Sequence, residues 1–359
     1  MRTIAAHPLG LQIMRSANKE WFFKVFGRLA SNWSLRNLIK TTGQRLIIPV
    51  YHLVSDKTPA HIRYLYHAKS KQTFEEDLDF LLSHYRPIDL PELMEKVNEG
   101  QSFDENVFLL TFDDGLREFK EVIAPILLKK GVPAICFLNS DFIDNKGLFY
   151  RYKVSLLIDY IKKHKLENAT LVQAWIRAND FTQNKDIKEI LDTITYNQQE
   201  LLDQLAATVR LNFDNYLEEE QPYMNSEEIK DLIEKGFYFG AHSCDHPLYR
   251  YIDLEEQKQQ TSKSLYEIKE AFDLDYSLFA FPFTDYKVSK AFFDWIYERE
   301  QPLLDLSFGT AGLKQDIYPQ HLHRIPLELS DHSAEEVIRR EYLYYRFKCF
   351  FGRNRMRRR

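Results

Sequence analysis

Two adjacent carboxylates, Asp113 and Asp114, stand in the run Thr111-Phe112-Asp113-Asp114-Gly115, directly after the apolar stretch Val107 to Leu110. Neighbouring acids repel unless a cation or a proton is shared between them. The pair is therefore either a turn, which Asp and Gly both favour, or part of a site that holds a cation. A second group, Gly240-Ala241-His242-Ser243-Cys244-Asp245-His246-Pro247, also follows an apolar run. Histidines at i and i+4 share one face of a helical turn, and two imidazoles with one carboxylate leave coordination positions open on a catalytic metal. Packing alone has no use for this spacing. Cys244 is a further soft donor, although its i+2 position points it away from the shared face.

The elements that must carry these groups alternate. Leu46 to Tyr51, Asn106 to Phe112, Pro133 to Leu138, Phe237 to Ala241 and Ser277 to Phe281 read as short buried strands. Between them lie helical stretches: Thr73 to Tyr85 with Thr73 as its cap and Glu76 three residues on, Arg117 to Lys130 stopped by Gly131, Ser226 to Lys235, and Leu254 to Phe272. Strand and helix in alternation predict parallel βα units, and chemistry after the strands favours a barrel over an open sheet. Residues 150–222 carry Leu, Ile and Tyr at helical spacing among Glu, Lys, Gln and Asn, the pattern of a helical insertion that either shapes a cleft or is a solvated elaboration. Residues 1–43 read as an N-terminal helical extension, 44–330 as the barrel, and 331–359 as a C-terminal helix with a basic tail, Arg353 to Arg359.

The run T-F-D-D-G at 111–115 and H-S-x-x-H-P at 242–247 resemble the polysaccharide deacetylases with the NodB homology domain, carbohydrate esterase family 4. The resemblance spans 45–330 and implies a distorted (β/α)7 barrel with the helical insertion between the two motifs. It implies that Asp114, His242 and His246 hold a divalent cation, zinc first among the candidates, while Asp113 acts as the base. The third motif of that family carries an arginine that the corresponding Ala280-Phe281-Pro282-Phe283 lacks. This variant, and Tyr51-His52-Leu53-Val54 after the first strand, are similar to the poly-N-acetylglucosamine deacetylase branch. The Phe283 backbone N–H would then help bind an oxyanion. For the general acid the candidate is His323 in His321-Leu322-His323-Arg324-Ile325-Pro326, with His321 close behind. Arg324 is the candidate for the missing cation beside Asp113, the other reading being a surface residue in a weak ion pair.

The implied reaction is hydrolytic removal of N-acetyl groups from an amino-sugar polymer, oligosaccharide or lipid-linked precursor. The alternatives are O-deacetylation on the same fold and a carbohydrate-binding pseudoenzyme. Composition is that of a globular protein, 44% hydrophobic and 28% charged. With 48 Lys and Arg against 53 Asp and Glu, no global basic field exists to recruit nucleic acid. Three cysteines without paired spacing (Cys136, Cys244, Cys349) argue against a disulfide framework. With no secretory signal in the first residues, the expectation is a cytoplasmic protein. The basic tail reads as a solvated terminus, or as a weak contact with a membrane surface.

Overall fold

The computed structural model describes residues 33–183, 185–298, 300–328 and 332–358. Most of the expected N-terminal helical extension, residues 1–32, and the final Arg359 lie outside them. We label the barrel strands β1 (Pro49–Tyr51), β2 (Leu110–Phe112), β3 (Ala134–Leu138), β4 (Tyr238–Ala241), β5 (Leu278–Ala280) and β6 (Leu306–Gly309). The last, β7, comprises two segments, His321–His323 and Ile325–Pro326, which run on from one another through Arg324. All pairings are parallel: β1 with β2, and so on in chain order to β6. The first half of β7 pairs with β6 and the second half with β1, so the sheet curls back on itself into a distorted barrel.

The sequence runs read as single strands at Leu46 to Tyr51 and Asn106 to Phe112 each split. Their first residues, Leu46–Ile47 and Val107–Phe108, leave the barrel for a small parallel sheet with Arg86–Pro87. Inside the barrel Leu109, Ile135, Phe137, Leu278, Leu306 and Phe308 interlock, each contributing about 1.5–3 kcal/mol of burial. Gly240 is required there, since a Cβ would sit 2.8 Å from both Leu278 and Phe137. The opposite strand faces pack on an outer layer of helices through Phe112, Phe239, Phe279 and Phe281.

The outer helices end where the chain supplies caps. Leu254–Phe272 is capped by Asp253, and Ala124–Lys130 stops at Gly131 with φ 64°. The helix expected from Thr73 begins instead at Lys71, because the Ser70 side chain accepts from the Thr73 N–H. Residues 150–222 are helical, with Tyr150–Lys163, Thr170–Ala178 and Glu200–Val209 sharing one apolar core, and Leu53, Ile62 and Leu116 beside the strand ends belong to that same core. This segment is packed onto the barrel rather than solvated around it. Among the described residues no helix is long and apolar enough to cross a membrane.

The C-terminal tail departs from the expected solvated terminus. After the helix Ala334–Phe350, residues 353–358 alternate: Arg353, Arg355 and Arg357 are exposed, while Asn354, Met356 and Arg358 turn inward. Backbone bonds between Gln315 and both Asn354 and Met356 fasten this strap to the barrel. All three cysteines are free.

Candidate active site

Parallel strands in a barrel all deliver their C-terminal ends to one face, and the chemical residues follow those ends. His52 follows β1, Asp113 and Asp114 follow β2, His242 to His246 follow β4, Phe283 follows β5 and Glu328 follows β7. Two histidines expected on one helical turn are instead carried by an irregular loop, in which Ser243 and His246 take positive φ (67° and 66°). The tight loop, rather than a helix, brings their rings to a centroid separation of 4.8 Å. Asp114 and Phe283 also have positive φ, 71° and 57°. Left-handed backbone at four non-glycine positions stores strain where the chemistry lies.

Asp114 Oδ1 is 3.3 Å from His246 Nε2 and 3.7 Å from His242 Nε2. These separations approximate the edge of about 3.3 Å between ligands on a tetrahedral zinc with bonds near 2 Å. Asp114 Oδ1 and His242 Nε2 are buried and have no hydrogen-bond partner among the described residues. Their other atoms are engaged. Tyr152 donates to Asp114 Oδ2 at 2.8 Å, and His242 Nδ1 lies 2.8 Å from the Ala280 carbonyl, which fixes the tautomer with Nε2 free to ligate. Burial pushes His242 down to about 4, against the attraction of Asp113, so the ring is neutral as ligation demands. The three residues thus fit a divalent cation. Phe149 and Phe283 pack against the His246 ring, at 4.3 and 4.6 Å between centroids.

Asp113 faces a different partner. Arg324, 0% exposed, donates through Nη1 and Nη2 to its two oxygens at 2.6 and 2.8 Å. The guanidinium lies over Phe137 inside the barrel. Burial pulls Asp113 upward, but Arg324, followed by His242 and His52, outweighs it and leaves the carboxyl below its ordinary value. The cation missing from the third motif is therefore supplied by Arg324, not by a surface residue in a weak pair.

His323 is not brought to this group. Along a strand successive side chains alternate faces, so Arg324 points inward while His321 and His323 point outward, toward Phe293, Asp285 and Asp316. His52 stands in its place. Its Nε2 is 3.9 Å from Asp113 Oδ2, its Nδ1 contacts the buried Glu328 carboxylate, and its side chain is 26% exposed. Burial draws His52 downward, but Glu328 overrides this and raises it to about 10. Sequence reasoning gave His52 no role; the Tyr-His-x-Val opening was the signal that could have found it. Phe283 O accepts from Thr310, and among the described residues nothing accepts from the Phe283 N–H. Cys244 is turned away, bonded to Gln260.

The family model described as polysaccharide deacetylase matches residues 100–292, which omits β1, β6 and β7. No curated protein sequence matches the chain. Solved structures of similar fold include the Streptococcus pyogenes deacetylase PplD in complex with acetate, at 14% identity and TM-score 0.52 over 82% of this chain and 97% of that one. IcaB from Ammonifex degensii is similar at 16% identity and TM-score 0.51, over 84% and 98%. With the family model covering more than half of the chain and the barrel carrying both of its acid and histidine motifs at one mouth, this chain belongs to the polysaccharide deacetylase family.

Proposed function

We propose that this deacetylase removes N-acetyl groups from an amino-sugar polymer, oligosaccharide or lipid-linked precursor, using a divalent cation, with zinc the fitting ion. The observation that carries the reading is the juxtaposition of a base held ionised by Arg324, an imidazolium held by Glu328, and two unshared ligand atoms, Asp114 Oδ1 and His242 Nε2, beside His246. A cation on Asp114, His242 and His246 supplies Lewis acidity and a lowered pKa for water. Asp113 takes the proton from the attacking water, and Arg324 keeps it able to do so at neutral pH. The Phe283 N–H donates to the oxyanion of the tetrahedral intermediate. His52 gives a proton to the departing nitrogen. An amine leaves poorly without that proton, which favours amide over ester cleavage. Tyr152 and the Ala280 carbonyl hold the ligands in orientation, and the rings of Phe149 and Phe283 exclude water from around His246.

The test is acetate release from N-acetylglucosamine oligomers by chelator-treated protein, before and after one equivalent of zinc, with free amine counted in parallel. Equal acetate and amine, dependent on the ion, is the expected result. Release only from O-acetylated xylan would overturn the amide assignment, and no release from either would overturn catalysis.

A further inference from the structure

Outside the barrel, behind β6 and β7, a second ionic cluster gathers Asp285, Asp316, His321 and His323, with ligand-type atoms all within 4.8 Å of one another. Two buried carboxylates need a compensating cation. Among the described residues that cation is Arg358, from the C-terminal strap. Its Nη2 lies 2.7 Å from Asp285 Oδ2 and 2.7 Å from Asp316 Oδ2, and its Nε lies 3.1 Å from Asp316 Oδ2. The guanidinium stacks on Phe293 at 3.7 Å, and the side chain is 2% exposed.

The groups it holds lead straight to the site. Asp285 is two residues from Phe283, and its Oδ1 accepts from the Thr310 N–H, while the Thr310 hydroxyl donates to the Phe283 carbonyl. The Arg324 N–H donates to the Gly309 carbonyl, and the Gly312 N–H donates to the Arg324 carbonyl. Gly309 has no room for a side chain, since a Cβ would lie 2.5 Å from Asp285 Oδ1 and 2.7 Å from His323 Nδ1. One side of the cluster thus braces the loop of Phe283, and the other braces the backbone that aims Arg324 at Asp113.

We infer that Arg358 is a positioning residue for the active site: the C-terminal strap inserts its guanidinium between Asp285 and Asp316 and so fixes both the Phe283 loop and the Arg324 backbone. This rests on the deacetylase reading above, but it has a readout that needs neither substrate nor metal. Bidentate geometry matters, because a lysine carries the charge without the planar fork.

The experiment compares full-length wild type with Arg358→Met and Arg358→Lys by hydrogen exchange of the metal-free protein and by kcat and KM of the zinc-loaded enzyme. Misplaced catalytic groups cost rate steeply, so Arg358→Met is expected to lose about tenfold or more in kcat with KM within about threefold. Exchange should quicken at 281–287 and 306–324, while the helix Leu254–Phe272 keeps its protection and zinc content stays at wild type. Arg358→Lys should fall between the two. Wild-type kcat and exchange in Arg358→Met would overturn the inference. So would uniformly faster exchange, which would make Arg358 a general stabiliser. If Arg358→Met does not fold, Arg358→Lys decides: wild-type kcat and local exchange in that variant would also overturn it. Wild-type protein that releases no acetate, with local exchange still changed by Arg358→Met, would fail the proposed function and leave the brace standing.

Discussion

The ionic cluster in the barrel mouth and the one outside it lie on opposite faces of β7, and both are built from aspartates, histidines and one arginine. They differ in what is left over. Outside, Arg358 bridges both carboxylates, and the one atom left without a hydrogen-bond partner among the described residues is a ring nitrogen, His323 Nε2, 3.4 Å from Asp316 Oδ2. Inside, Arg324 saturates only Asp113, and Asp114 Oδ1 and His242 Nε2 are without hydrogen-bond partners among the described residues. Composition therefore does not mark a reactive cluster; a buried carboxylate oxygen that the fold orients beside imidazoles and leaves without a partner does.

The sharpest way to break this contrast is at the unsatisfied atoms. Replacing Asp114, His242 or His246 by Ala should abolish acetate release and lower zinc content together, since each removes one of three ligands. Elemental analysis of the purified variants checks this, and full zinc content in His246→Ala would dismantle the site.

Asp113→Asn should cost about 10²–10⁴ in kcat while zinc stays bound, because the amide keeps the shape and cannot accept a proton. Equal loss of zinc would make Asp113 a ligand.

The two clusters predict different behaviour for the two candidate acids. His52→Gln should slow amide cleavage by about 10², with the loss shrinking for an aryl acetate, whose leaving group needs no proton. His323→Gln, acting through packing, should affect both substrates alike. A leaving-group dependence in His323→Gln would return the acid role to that residue.

The smallest expected effect is a shift rather than a loss. Arg324 lowers the pKa of Asp113 in the folded protein, so Arg324→Met raises it and the base ionises only at higher pH. The acidic limb of kcat/KM should move up by about one to three pH units, the usual range for an aspartate beside arginine. An unmoved limb in a folded, zinc-loaded variant would leave the metal as the sole support of Asp113.

What could be read in advance was whatever is contiguous. Asp113-Asp114 and His242 to Pro247 each sit within a few residues of a strand end, and the strand and helix alternation is local, so the barrel and the gathering of Asp114, His242 and His246 were legible. Period-2 alternation sets His321 and His323 on one strand face and Arg324 on the other, a constraint that assigning both His323 and Arg324 to the site left out. Which face is inside depends on how β7 bridges β6 and β1, and no local pattern states that. His52 acquires its charge from Glu328, 276 residues away. Helical spacing in 150–222 revealed an apolar face but not that Tyr152, with Phe149 just before the segment, would border Asp114 and His246. The basic run at the end hid its alternation, in which three arginines face solvent and Arg358 does not.

Closure by the final strand also sets an order of assembly during synthesis. Asp113 and Arg324 are 211 residues apart, on the order of 10 to 40 s of translation at ordinary rates. A nascent chain that has emerged only as far as β6 already carries all three candidate ligands and Asp113. Its β1 and β6 edges are still open, and the base is without its cation. Ligand candidates and base thus emerge before the arginine that pairs with the base. A chain cut short before 321 would carry the three candidate ligands and Asp113 without Arg324.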